Sequence, residues 1–229
     1  MSDLLSIGAS ALSTYRTALA VVGDNVANSG TAGYVRRDVH IKSAATVGSA
    51  SPLYSDGAGA GGVRVAGLVR AADAFRDADA RLTASDSARA DTRARWLALG
   101  EGQLPDDDTG LGAKLTSVYT AADGLAADPT GTVGRETMMN AISVAASSLR
   151  GSANGLAKLS TGIAEEAAQT ATTLNSNLSE LASVNASLRR LSPGTTGHAA
   201  ALDQRDRLLG DIAGAAGIET SFDARGVAT

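Results

Sequence analysis

Apolar residues return every seven positions at the start of the chain, at Leu5, Leu12, Leu19 and Val26. Gly8, Tyr15, Val22 and Ser29 fill the complementary heptad position. This period predicts a long helix with a narrow coiled-coil seam of about four heptads. Ser2 and Asp3 carry side chains that cap helix starts, and Asn28-Ser29-Gly30 ends the pattern, with Gly30 expected as a left-handed cap. A helix this long gains most of its stability from a partner for its apolar face. That partner is either the rest of the same domain or another chain. In the second case Leu5, Leu12, Tyr15, Leu19, Val22 and Val26 form an assembly interface.

After the helix the period changes to two. Residues 34–42 alternate, with Val35, Arg37, Val39 and Ile41 on a mostly apolar face and Tyr34, Arg36, Asp38 and His40 on a polar one. Residues 63–69 form a second such run, so the two predict a β-hairpin. Between them lie small, turn-forming residues ending in a glycine cluster, 56–62. Such a cluster can cradle a phosphate, but here no Lys-Ser or Lys-Thr follows and a strand comes next, so a flexible loop is expected.

Helical spacing resumes from Arg70 to about Gly100, with Phe75, Ala78, Leu82, Trp96 and Leu99 on one face and Ser85, Arg89 and Thr92 weakening its middle. Asp77 with Arg81, and Asp91 with Arg95, stand at i,i+4 and are expected to pair along the surface. Leu111, Leu115, Val118, Ala122 and Leu125 make a further helix, stopped by Asp128-Pro129. A pattern from about Val133 to Leu191 follows. Its second half carries Leu159, Ile163, Thr170, Val184 and Leu191 alternating with Ala167, Leu174, Leu181 and Leu188. At about 1.5 Å per residue a continuous helix there is about 85–90 Å long, which predicts a rod. Gly151, Gly155 and Gly162 are expected to mark close helix contacts or a kink. A last helix runs from Ala199 to about Ala216, with Leu202, Leu208 (or Leu209) and Ile212 inward, and residues 218–223 alternate like a strand. The fold class expected is therefore mainly α: an elongated helical bundle or coiled-coil rod with a small β-hairpin after the N-terminal helix.

Composition narrows the function. Aromatics make up only 3% of the 229 residues, so closely spaced helices suit the chain better than a thick core or a ring-lined pocket. A net charge of -4 argues against nucleic acid as a partner. With no cysteine, disulfides, thiolate catalysis and thiolate metal sites are excluded. Asp3 stands where a signal peptide needs positive charge, and Ser6, Gly8, Ser10 and Ser13 interrupt any apolar run. No stretch reaches the roughly 20 apolar residues of a membrane span, so no membrane partner is expected.

Candidate chemistry is sparse. Asp106-Asp107-Asp108 lacks the alternating ligands, glycine and closing Glu of a calcium loop, so Asp108 or Thr109 is expected to cap the next helix instead. His40 and His198 have no second ligand at metal spacing. Glu165 and Glu166 are adjacent on a helix, point apart and are expected to be solvated. No catalytic, metal or cofactor residue is assigned, and the expectation is a protein that is not an enzyme and needs no cofactor.

Against this background two motifs carry a resemblance. Asn25, Asn28, Thr31, Gly33, Tyr34 and Arg36 resemble the motif closing the N-terminal helix of bacterial flagellar rod, hook and hook-associated proteins. Ala32 departs from the Pro that many members carry before Gly-Tyr. Asp128, Pro129 and Arg135 before the long helix, and Asp203, Gln204, Arg205 and Asp206 near the end, are similar to the hook-associated branch of that family. The resemblance implies a structural subunit joining hook to filament. It implies hook protein and the next hook-associated protein as partners, self-association in a ring or helical lattice, and an extracellular location. Export would use the flagellar type III route without a cleaved signal, a route compatible with an export chaperone. The alternative from the residues alone is a generic coiled-coil binding or stalk module.

Divided accordingly, residues 1–36 are an axial helix with its Gly-Tyr turn, 37–70 a hairpin connector, 71–216 a helical rod domain and 217–229 the start of a β-rich outer domain. Family members usually run to several hundred residues, so a returning C-terminal helix, the expected partner of the first one, is looked for beyond Thr229.

Overall fold

The computed structural model describes residues 2–44 and 62–229. The expected loop with its glycine cluster (45–61) and the capping side chains of Ser2 and Asp3 lie outside the described residues. Among those described, the chain is mainly α. The elements are α1 (Ser2–Ala27), β1 (Arg37–Ala44), β2 (Gly62–Arg70), α2 (Ala74–Glu101), α3 (Leu111–Ala127), α4 (Thr132–Arg190) and α5 (Thr196–Ala215). β1 and β2 form an antiparallel two-stranded sheet whose register shifts between His40 and Ile41, where Ala66 is left unpaired opposite.

Two compact units share the long helices. The first joins Met1–Asp86 to Leu174–Thr229, and the second is Ser87–Thr173. The core of the first unit is built from Leu181, Val184 and Leu188 of α4, Leu208, Leu209 and Ile212 of α5, and Val227 and Ala228. Leu188 and Ile212 are its largest fully buried side chains. Burying a residue of this type contributes about 1.5–3 kcal/mol.

The final segment pairs with itself. Phe222 bridges Ala228 in antiparallel sense, and Ser221 and Thr229 exchange both backbone hydrogen bonds at 2.9 Å. Asn185 on α4 fixes the returning arm: its Oδ1 accepts from Ala228 N at 3.0 Å and its Nδ2 donates to Ala228 O at 2.9 Å. The alternation at 218–223 thus finds its partner within nine residues of chain.

In the second unit, small residues on α4 admit large ones from α2. A Cβ at Gly162 would stand 3.1 Å from the Trp96 ring, and one at Gly155 would run into Gln103. These two glycines are contact points within one uninterrupted helix, while Gly151 faces open space. The inward row therefore runs through Leu159, Gly162, Glu166 and Thr170, and it leaves Ile163 and Ala167 exposed, unlike the heptad assignment. Glu166 is not simply solvated either: Arg95, which packs over Trp96, pairs with it and not with Asp91. Asp91 accepts from Ser87 Oγ at 3.4 Å.

Three further expectations are corrected. In the first half of α2, Phe75 and Leu82 point outward, 82% and 62% exposed, while Ser85 is buried. The last segment of the chain approaches that polar face, with Arg81 reaching Thr220 at 3.5 Å, so tertiary contact overrides the apolar stripe. The N-cap of α3 is Gly110, not Asp108 or Thr109. Asp107 closes the preceding turn by accepting from Thr109 N at 2.8 Å and Thr109 Oγ1 at 2.5 Å. Those bonds, the hydroxyl first, hold its carboxyl below the usual range. Finally, Gly30 is not left-handed; the positive φ after α1 belongs to Gly33, at 76°.

Candidate functional site

α1 has two faces with different fates. Ile7, Ser10, Thr14, Ala18, Val21 and Asn25 turn toward the hairpin, with Thr14 and Val21 buried. Two hydroxyls on this face serve the free edge of β2: Val63 N donates to Ser10 Oγ and Thr14 Oγ1 donates to Val63 O, both at 3.3 Å. Farther along the same edge, Leu68 N donates to Gly194 O at 2.7 Å in the turn between α4 and α5. Open strand edges invite foreign pairing. Here the edge is used internally at both ends.

The other face of α1 is the heptad row. Leu5, Leu12, Tyr15, Leu19, Val22 and Val26 are between 57% and 76% exposed. Scattered exposed apolar residues need no explanation, but a continuous row of six on one helix does.

Where α1 ends, the motif residues build a turn. Asn28 Nδ2 donates to Asp24 O at 2.9 Å, Thr31 Oγ1 donates to Asn28 Oδ1 at 3.3 Å, and Tyr34 N donates to Thr31 O at 3.2 Å. Gly33 supplies the left-handed step. Asn25 receives the chain as it leaves: its Oδ1 accepts from Tyr34 Oη and from Arg37 N, both at 2.9 Å, and its Nδ2 donates to Arg37 O at 2.8 Å. Residues 34–36 are thereby taken up by the turn, which is why β1 starts at Arg37 and not at Tyr34. Arg36 lies outside this cluster, 68% exposed and paired with Asp38 at 3.2 Å.

The buried charge belongs to Arg37. Its Nη2 meets Asp203 of α5 at 2.7 Å, and its guanidinium lies 4.9 Å from the Tyr34 ring centre. Arg70, at the end of β2 and directly opposite Arg37 in the sheet register, meets Asp203 and Asp206, each at 2.8 Å. Arg205 pairs with Asp206, donates to Gly226 O at 2.5 Å and lies over Phe222. The side chains of all five charged residues are at most 17% exposed. Gln204, the remaining residue of that motif, is half-buried and donates to Glu180 at 2.7 Å. Removing one member of such a network costs about 3–5 kcal/mol, because it strands a buried charge.

The structure thus brings Asn25, Tyr34, Asp203, Arg205 and Asp206, named from opposite ends of the sequence, into one cluster. Two members escape sequence reasoning: Arg37 and Arg70. For Arg37 the available signal is an arginine on the inward face of a strand, a position that requires a buried acid, whereas Arg70 reads as opening the next helix and ends β2 instead.

Asp128, Pro129 and Arg135 lie in the second unit. Asp128 Oδ1 accepts from Gly131 N and Thr130 Oγ1, both at 3.2 Å, and Arg135 donates to Thr130 O at 3.0 Å. They shape the turn between α3 and α4.

Two family models match the chain. Residues 100–229 match the flagellar hook-associated protein FlgK helical domain, and residues 5–34 match the flagella basal body rod protein family. Among curated proteins, a flagellar hook-associated protein 1 of Bacillus subtilis (strain 168) is 28% identical over 219 residues, covering 94% of this chain and 43% of that protein. Proteins of the same name from Salmonella typhimurium (strain LT2) and Salmonella typhi are each 24% identical over 223 residues, covering 96% of this chain and 39% of theirs. The chain therefore spans about two-fifths of the length of these relatives.

Proposed function

Given that the chain belongs to the flagellar hook-associated protein FlgK helical-domain family, a family of flagellar structural proteins, we propose that it is a structural subunit joining hook to filament. It assembles through α1 and has no catalytic role of its own. One observation carries the assembly reading: the six apolar side chains from Leu5 to Val26 stay exposed although another face of α1 packs against the hairpin. A helix held in place on one side and apolar on the other is prepared for other helices.

In this reading Asn25, Asn28, Thr31, Gly33 and Tyr34 set the direction in which α1 leaves the body. Asp203 and Asp206 fix the hairpin to α5. Asp128, Pro129 and Arg135 set the return from α3 to α4. The partners are hook protein, the next hook-associated protein and further copies of the same subunit in a ring or helical lattice. The place of action is the extracellular flagellum, reached through the flagellar export route without a cleaved signal. No helix among the described residues is long and apolar enough to cross a membrane.

The test is a strain whose own copy carries Leu12→Asp and Leu19→Asp. Purified variant should keep its helical circular dichroism, and cells should show hooks without this subunit at their tips and without filaments. Normal filaments on that strain would overturn the assembly role of the row. Cross-links between the wild-type protein and hook subunits separate the junction reading from a generic coiled-coil stalk, which would give none.

A further inference from the structure

We propose that the pocket between the turn after α1 and α5 binds a carboxylate. The pocket, about 160 Å³, is lined by Thr31, Gly33, Tyr34 and Arg37 on one side and by Asp203 and Arg207 on the other. The first argument is charge balance. Arg37, Arg70 and Arg205 bring three positive charges into the buried cluster, against two negative charges from Asp203 and Asp206. Ring faces and a carbonyl take up part of the excess: Tyr34 at Arg37, and Phe222 and Gly226 O at Arg205. None of these bears a formal charge, and an uncompensated buried charge is strongly unfavourable.

The second argument is Arg207. Its stem lies against Gly33, where a Cβ would collide with Cγ and Cδ. The missing side chain at Gly33 is thus what seats Arg207 at this pocket. Its guanidinium makes no ion pair or hydrogen bond among the described residues. Arg37 adds a further unused donor, since its Nε is buried without a hydrogen-bond partner. Four arginines therefore meet two aspartates at one place, and donor capacity remains on the two arginines that line the pocket.

The chemistry favours one negative charge on a planar group. A guanidinium matches a carboxylate through paired N–H donors. A doubly charged phosphate would stand against Asp203, which shares the lining. The volume leaves room for a carboxylate head with a few waters, each needing about 30 Å³. The group is either a free small carboxylate or an acidic side chain of a neighbouring subunit. The site does not depend on the flagellar reading.

The experiment is an NMR titration of the full chain with sodium acetate, against sodium chloride at equal ionic strength, followed at the amides of Gly33, Tyr34 and Arg37. Saturable shifts are expected with acetate and not with chloride. Arg207→Gln, at an exposed position, should weaken them roughly tenfold or more, and Arg207→Lys less, since a single ammonium keeps charge without the fork. Half-saturation at or below about 1 mM indicates a free ligand. Half-saturation at several millimolar, still lost in Arg207→Gln, indicates a tethered side chain, whose effective concentration reaches millimolar. Absence of saturable shifts, or identical curves for wild type and Arg207→Gln, overturns the proposal.

Discussion

Asn25 takes up both backbone hydrogen-bonding groups of Arg37, accepting from its N–H at 2.9 Å and donating to its carbonyl at 2.8 Å. One side chain at the end of α1 thereby does what a neighbouring strand would do, and it fixes where β1 begins. Asn25→Ala leaves both groups without a partner and should cost about 1–3 kcal/mol. Asn25→Asp keeps the acceptor for Arg37 N and Tyr34 Oη and should cost less. Urea midpoints at unchanged slope measure both. Equal midpoints for wild type and Asn25→Ala would show that the clamp contributes nothing.

Arg36 and Arg37 are neighbours with opposite prospects. Arg37→Ala strips Asp203 of one of its two buried partners and should destabilise by about 3–5 kcal/mol. Arg36→Ala removes an exposed pair and should stay within about 1 kcal/mol. Thermal melts of the two variants decide the matter, and similar losses would refute the assignment of the buried role to Arg37.

Gly33 is constrained twice, by its φ of 76° and by the Arg207 stem lying against it. Gly33→Ala should cost about 1–2 kcal/mol from the left-handed backbone alone. The steric part should be relieved when Arg207→Ala is added. A double-mutant cycle is expected to show a coupling of at least about 0.5 kcal/mol, whereas strict additivity would mean the contact exerts no strain.

The two faces of α1 should separate stability from assembly. Val21→Ala removes about two buried methylene equivalents and should cost about 1.5 kcal/mol in the isolated chain. Leu19→Ala, at a position 71% exposed, should change stability by less than about 0.5 kcal/mol and weaken association instead. Denaturation paired with sedimentation of concentrated protein reads out both, and a stability loss at Leu19 matching that at Val21 would contradict the two-face description.

Acid should loosen the chain's last turn. Asp223 accepts from Val227 N and Arg225 N, both at 2.8 Å, and the Val227 bond above all holds its carboxyl below the ordinary value of 3.8. A lowered folded value means the stabilisation is complete above the unfolded value and is lost as pH falls through the folded one. Protection of the amides at 221–229, relative to their intrinsic exchange, should therefore fall below about pH 4, and Asp223→Asn should flatten that dependence. An unchanged profile in the variant would assign the acid response elsewhere.

Periodicity makes α1, α4 and α5 legible, because each buries or exposes a continuous apolar row. It also makes the hairpin legible through alternation at 34–42. What it misses is set by groups distant in sequence. Ser85 is buried because residues 217–222 return to it, and Glu166 faces inward because Arg95 is there. Ile163 reads as a seam residue, yet the wide Trp96 ring claims Gly162 beside it. Arg37 reads as an exception on an apolar strand face and Arg70 as the start of a helical run, and their acids lie 133 or more residues away.

That distance bears on the order of events when the chain folds. Arg37 and Asp203 are 166 residues apart. Bringing them together costs about 2 kcal/mol more in loop entropy than closing the hairpin, whose ends Ala44 and Gly62 are 18 positions apart. Helices and hairpin, made of local contacts, should therefore form early, and the ionic contact should close late. Substitutions at Asp203 should accelerate unfolding and leave the refolding rate nearly unchanged. Because α1 packs on the hairpin that forms beside it, its apolar row is presented on a locally folded unit before the ionic contact to α5 closes.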